Sequence, residues 1–283
     1  MTLPFSIDLH GKVAVVTGGS GVLGSVLCEA LAEAGAKVVI LARNQEKIDQ
    51  VVTSIQKDDG EAYGFSVDVL NKKDLERVHK KIQENIGPCS ILINGAGGNH
   101  PKATTSHEYY PSEQVVPEGE QSFFDLDTEA VGSLFHMNFL GTLIPSQVFC
   151  KDMIGQQDAA VINISSMNAD KPLTKIPAYS GAKAAISNFT EWLAVYFSKV
   201  GIRVNAIAPG FFLTDQNKEL MIQEDGQLSP RAHKILSQTP EGRFGKPEEL
   251  IGTMLWLVSQ QASSFVNGVV IPVDGGFSAY SGV

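Results

Sequence analysis

The sequence predicts an α/β fold: a doubly wound parallel sheet of seven strands with helices on both faces. Three observations carry that expectation. Short apolar runs recur almost from end to end, helical periods separate them, and a glycine-rich turn joins the first run to the first helical period. The runs are residues 12–17, 37–42, 62–67, 90–94, 160–165, 203–208 and 269–273. Most are continuously apolar rather than alternating, as strands buried on both faces must be. Residues 22–34, 45–57, 72–85, 129–150, 178–200 and 247–258 carry the helical periods between them. Strands joined by such crossovers pack as one parallel sheet. With no internal repeat, low-complexity tract or linker, residues 1–283 read as a single domain.

Two stretches break the rhythm. Residues 98–128 are long and polar, with Pro101, Pro111 and Pro117, and residues 211–240 are polar and partly helical. Loops of that length are usually functional or disordered. Both follow predicted strands, so both should emerge at the carboxyl edge of the sheet, where open α/β folds bind ligands. They are the expected substrate-side loops.

Composition narrows the partners. A formal net charge of −9 without any basic block argues against nucleic acid or an anionic membrane surface. An anionic ligand would need a local positive pocket set against that field. The 43% apolar content suffices for a sizeable core. Cys28, Cys89 and Cys150 are far apart and share no C-x-x-C spacing, so they read as small apolar-like residues in a reducing compartment, with no metal site. The opening MTLPFSIDLHGK lacks the charged and apolar regions of a signal peptide, and no apolar stretch would span a bilayer. A soluble, cytoplasmic protein with a small-molecule substrate is the expectation.

The first turn is the first sign of chemistry. Gly19, Gly21 and Gly24, with Gly18, Ser20, Val22 and Leu23 around them, satisfy G-x-G-x-x-G between a strand and a helix. Glycines let backbone approach a pyrophosphate, and the helix N-terminus offers free N–H groups and positive potential. A Rossmann-type dinucleotide site follows. An acidic residue for the adenosine ribose should end the second strand; Ala42 stands there, followed by Arg43. A guanidinium pairs with a 2′-phosphate, which favours NADP over NAD.

Tyr179 and Lys183 are four apart in a helical period, so ammonium and phenol share one face. A free phenol has a pKa of about 10, too high for acid–base work, and a neighbouring cation lowers that value. Ser165 and Ser166 end an apolar strand shortly before, close enough in the chain to bring a hydroxyl beside the tyrosine.

These motifs resemble the short-chain dehydrogenase/reductase family over nearly the whole chain. The resemblance implies that Ser166 holds the substrate oxygen, Tyr179 exchanges the proton, and Lys183 lowers its pKa and binds the nicotinamide ribose. Asn138 would hold a water in the proton relay. Asn94, Gly95, Ala96 and Gly97 would support the central sheet and adenine-ribose side, and Asp68 and Val69 would contact adenine. Pro209, Gly210, Phe212 and Thr214 would form the nicotinamide-side loop. Two departures stand out: the family's middle glycine is Val22 here, and Gly95 replaces its commoner second asparagine.

The segments flanking this centre carry Asn99, His100, Lys102, Asn168, Lys171 and Lys175. Cations suit a carboxylate and amides suit hydroxyls, so an anionic sugar acid is the expected substrate, with Asn99, His100, Lys102, Asn168 and Lys175 as its candidate ligands. The segments are similar to those of the D-mannonate oxidoreductases (D-fructuronate reductases) within the same family. Another polar sugar or polyol, or a 3-oxoacyl thioester, stays open. So does a protein that only senses NAD(P), although it would have no use for an intact catalytic set. Helix residues Phe189, Trp192, Leu193 and Phe197 and the tail 268–283 match surfaces that the family pairs, implying a homodimer or homotetramer.

Overall fold

Why the apolar runs become one sheet is visible in their pairing. The structure is a computed structural model describing residues 7–111, 116–213, 221–223 and 226–282. Strands β1 (Val13–Thr17), β2 (Lys37–Ala42), β3 (Ala62–Ser66), β4 (Cys89–Asn94), β5 (Ala159–Ile164), β6 (Ile202–Pro209) and β7 (Val270–Val273) lie in the order β3-β2-β1-β4-β5-β6-β7. Every pairing is parallel; Val15 stands opposite Val39 of β2 and Leu92 of β4. The seven-stranded parallel sheet is therefore as the sequence predicts, with each strand end within a residue of its apolar run.

The helices are α1 (Val22–Glu33), α2 (Gln45–Lys57), α3 (Lys72–Asn85), α4 (Thr128–Phe135), α5 (Gly141–Met153), α6 (Pro177–Phe197), α7 (Pro230–Ser237), α8 (Ile251–Val258) and the short α9 (Gln260–Ser263). Because successive side chains leave opposite faces of a strand, each strand feeds two cores. Ala14, Val16, Val38 and Ile40 pack with Leu27, Ile48 and Met254 of α1, α2 and α8. Val13, Val15, Val39 and Leu41 pack with Leu75, Phe149 and Leu193 of α3, α5 and α6. Each fully buried Val, Leu or Ile contributes roughly 1.5–3 kcal/mol. Two-sided burial is why these runs carry no alternation. Among the described residues, no helix is long and apolar enough to cross a membrane.

The cysteines are free and buried, which fits their reading as apolar fillers. Burial pushes all three thiols up, Cys150 to about 12.

Helix starts separate structural from available N-termini. Asn44 caps α2 through Lys47 N at 3.0 Å, Asn71 caps α3 through Asp74 N at 3.3 Å, and Asp127 caps α4 through Glu129 N and Ala130 N. The N-cap of α1 is Gly21, which has no side chain to occupy those groups.

The helical period 129–150 is not one regular helix. A π-helical turn, His136–Leu140, separates α4 from α5, with Gly141 N bonding His136 O across five residues. Pro145 within α5 cannot donate to the preceding turn. Such insertions concentrate at functional positions, and Asn138 lies inside this one. Two other helical periods change character at their ends, to 3₁₀ turns at Ser198–Val200 and Pro247–Leu250.

The 98–128 stretch, outside residues 112–115, is tied down rather than loose. Thr105 N donates to Lys175 O at 2.8 Å, Ser106 N to Gln121 O at 2.8 Å, and Asp127 N to Lys102 O at 3.1 Å. Short 3₁₀ turns form at Pro101–Ala103 and Phe123–Asp125.

Candidate active site

Strand order reverses between β1 and β4, and there the carboxyl edge opens into a cleft of about 660 Å³. Gly18 and Gly24 are required by backbone packing at its base. Gly18 has φ +68°, and a Cβ there would lie 2.8 Å from Gly95 O; one on Gly24 would lie 2.3 Å from Gly18 O. Gly18, Ser20 and Gly21 line the cleft, whereas Gly19 lies in the turn behind them and Val22, Leu23 and Gly24 open α1. Val22 is simply the first residue of α1, so the departure at this position costs the helix nothing. Gly95 also proves constrained: its Cβ would stand 2.8 Å from Thr17 O. The hydroxyl of Thr17 accepts from Gly95 N at 3.2 Å and Ala96 N at 3.3 Å, clamping the ends of β1 and β4 together.

Arg43, Asp68, Val69, Gly95, Ala96 and Gly97 line the same cleft, Arg43 with an exposed side chain at the end of β2. Asn94 stays behind the wall, donating to Ser146 Oγ at 3.0 Å and Asn163 Oδ1 at 2.9 Å. Sequence reasoning missed Leu41, Asn44, Val67, Gly98, Ser133, Leu134 and Met137, which also line the cleft. The last three come from α4 and the π turn, far away along the sequence, and nothing local marks them.

Gly97 is the partition between cleft and catalytic candidates. A Cβ on it would lie 2.6 Å from Asn138 Oδ1 and 3.4 Å from Lys183 Nζ. Asn138 is fully buried and grips the strand β4 exit, donating to Gly98 O at 2.8 Å and accepting from Gly98 N at 3.2 Å. Its own carbonyl accepts from Thr142 Oγ1 at 3.0 Å.

Lys183, only 4% exposed, donates to Ile164 O at 2.8 Å and sits 5.5 Å from the centre of the Tyr179 ring. An ammonium has three donors, so two remain for a ligand. Of the two adjacent serines, Ser165 is committed to Lys183 O at 3.2 Å and Ser187 Oγ at 2.7 Å. Ser166 is the one that faces the phenol and favours its ionised form.

Burial nevertheless dominates both titrations. It pushes the Tyr179 phenol up to about 12 and the Lys183 ammonium down to about 8. The ammonium places one of its donors on Ile164 O, and burial is the largest influence on the phenol.

The candidate substrate ligands do not gather in one place. Asn99 and His100 line the cleft, Asn99 donating to Thr104 Oγ1 at 3.1 Å and His100 accepting from Lys102 N at 3.2 Å. Lys102 points toward Asp127, 4.0 Å away, and lines no described cavity. Asn168 is buried with an unpartnered Oδ1, and Lys171 is exposed beside Asp170. Lys175 lines a second cavity of about 360 Å³ with Glu108, Phe211, Arg231, Lys234 and Phe277 among its walls. Gly210 packs where a Cβ would lie 2.6 Å from Asp274 Cα, following Pro209 at the end of β6. Phe212 bridges to Gly245, and Thr214 lies outside the described residues.

The chain matches the short-chain dehydrogenase family over residues 12–225. It is 53% identical to an uncharacterized oxidoreductase of Haemophilus influenzae over 283 residues, covering 100% of this chain and 99% of that one. A solved structure of a "putative D-Mannonate oxidoreductase" from Haemophilus influenza with bound NAD is 52% identical, with TM-score 0.95 and both chains fully covered. A 2-dehydro-3-deoxy-D-gluconate 5-dehydrogenase of Formosa agariphila is 32% identical over 276 residues, 97% of this chain and 96% of that one.

Proposed function

The chain belongs to the short-chain dehydrogenase family, an NAD(P)-dependent oxidoreductase, and on that premise we propose that it interconverts D-fructuronate and D-mannonate. The observation that carries the chemistry is the group Ser166, Tyr179 and Lys183, the lysine buried and the other two half-buried, beside a dinucleotide-sized cleft across one glycine. The residues fit the cofactor: a backbone cradle that side chains would fill, an uncapped helix α1, and a buried ammonium with donors to spare. The turn from Gly18 to Gly21 would hold the pyrophosphate, Asp68 and Val69 the adenine, and Lys183 the nicotinamide ribose.

When bound, a nicotinamide would supply hydride for reduction of a ketone or take it from the alcohol carbon in the reverse direction. Ser166 then orients the substrate oxygen by donating to it. Tyr179, a phenol that is protonated at neutral pH and that burial pushes further up, delivers that proton to the same oxygen. The ammonium of Lys183 stands beside the ring to stabilise the phenolate that remains. Asn138 fixes the strand exit that carries Gly97 and Gly98, and so holds the partition in register.

Two relatives support a sugar-acid substrate: the 52% identical structure is called a "putative D-Mannonate oxidoreductase" and the 32% identical enzyme is named for a deoxygluconate. Arg43 at the cleft rim, with Ala42 where an acid would bind the ribose, supports NADP. NAD is the second reading, favoured by the NAD bound in the 52% identical structure. A homodimer or homotetramer is supported by the exposed aromatic face of α6, Trp192 and Tyr196 with Val195. Initial rates of NADPH and NADH oxidation with D-fructuronate, beside an acetoacetyl-thioester control, test the function. Turnover of fructuronate alone is the expected result. Turnover of the thioester alone would replace the sugar-acid reading.

A further inference from the structure

Segments that follow four different strands meet in the 360 Å³ cavity: Glu108 after β4, Lys175 and Ile176 after β5, Phe211 and α7 after β6, Phe277 after β7. Its size lies at the small end of ligand pockets. Most of its wall is apolar, but three cations and one carboxylate line it. Lys234 pairs directly with Glu108, which bolts α7 to the 98–128 stretch. That leaves Lys175 and Arg231, neither of which has an ion-pair partner among the described residues. Two cations without an ion-pair partner among the described residues, on one small cavity, make a positive spot in a protein of net charge −9.

Lys175 is also held in an unusual way. Its φ is +73°, a left-handed conformation that disfavours any residue with a Cβ, and its carbonyl takes Thr105 N at 2.8 Å. Strain of that kind persists where the surroundings impose it, and functional sites are where it gathers. The wall at Ile176 adjoins the first turn of α6, and Tyr179 is three residues on, about 4.5 Å of helix rise.

Resting on the sugar-acid reading above, we infer that this cavity is the carboxylate subsite. Arg231 is its principal anchor, because a guanidinium fork pairs with both carboxylate oxygens, and Lys175 is the second cation. Phe211, Phe277 and Ile235 give the cavity apolar walls beside that pair. The cavity selects acids over polyols of the same carbon number.

The test is calorimetric titration of the NADPH-loaded protein, a dead-end pair that cannot turn over, with D-mannonate and, separately, with D-mannitol, its uncharged counterpart. The wild type is expected to bind the acid more tightly than the polyol by about 10- to 100-fold, the range of one charge-assisted pair. Arg231→Gln, an exposed helix position where glutamine suits the backbone, erases that preference while NADPH affinity stays unchanged. Lys175→Gln reduces it by a smaller factor. Equal binding of acid and polyol by the wild type, or a preference that survives in Arg231→Gln, overturns the assignment. Loss of acid preference in Arg231→Gln without turnover of D-fructuronate by the wild type would keep the carboxylate subsite and sink the fructuronate reading alone.

Discussion

The two cavities at the carboxyl edge are built by opposite means. The cleft over β1 to β4 is largely a backbone object, made of glycines, the N-terminus of α1 and the Thr17 clamp. The cavity over β4 to β7 is a side-chain object, assembled from segments more than a hundred residues apart. A cofactor shared by many enzymes can be held by main chain, which no substitution elsewhere alters. A substrate that differs between enzymes has to be read by side chains, and loops on a rigid sheet supply them. Between the two stands the Ser166, Tyr179 and Lys183 group, carried by β5 and α6 and touching the cleft only across Gly97.

Four substitutions or conditions would break or sharpen that comparison. The largest effect belongs to the shared centre: Tyr179→Phe is expected to lower kcat by ~10²–10⁴-fold while leaving cofactor affinity intact, read by steady-state kinetics and cofactor titration. Turnover close to wild type would remove Tyr179 from the chemistry. Next, Gly24→Ala places a Cβ 2.3 Å from Gly18 O, so the cradle must shift. Overpacking costs about 1–3 kcal/mol, and cofactor affinity should fall by about 10-fold or more, while Gly252→Ala, outside the cleft and with nothing within 4 Å, leaves that affinity unchanged. An unaffected Gly24→Ala would show that the cradle is not main-chain packing after all.

The third test concerns pH. Burial lowers the Lys183 ammonium to about 8, so it is charged at neutral pH and loses its proton as pH rises past that value. Tyr179, raised to about 12, keeps its proton across the same window. For carbonyl reduction, kcat/KM should therefore fall above about pH 8, approaching tenfold per unit, because that ratio reports ionisations of the free enzyme. A profile that stays flat to about pH 10 would mean that the charge on Lys183 is not needed. The smallest effect is expected from Lys102→Ala, an exposed side chain lining no described cavity; activity should stay within about twofold and stability within about 0.5 kcal/mol. A large loss there would extend the substrate region into a part of the loop that the two-cavity division leaves out.

What the sequence determined by itself was whatever is set by local repetition or by the covalent identity of one turn. Continuous apolar runs announced strands buried on both faces, and the runs around Val15, Val39 and Leu92 became the centre of the sheet. Gly18 and Gly24 were legible because only glycine satisfies their contacts, and Tyr179 with Lys183 because helical spacing alone puts them on one face. Tertiary structure decided the rest. The π turn at Asn138 replaced a helix that periodicity draws as regular, since a single inserted residue leaves the apolar pattern almost unchanged. The titrations of Tyr179 and Lys183 followed burial rather than their proximity along the sequence. Lys102, Asn168 and Lys175, similar on paper, went to a surface ion pair, a buried site and a cavity wall. Arg231 carried no signal at all in its own neighbourhood. It meets Lys175 only because strands β5 and β6 are neighbours in the sheet and release both residues at the same edge, and that adjacency is a property of the fold rather than of any stretch of sequence.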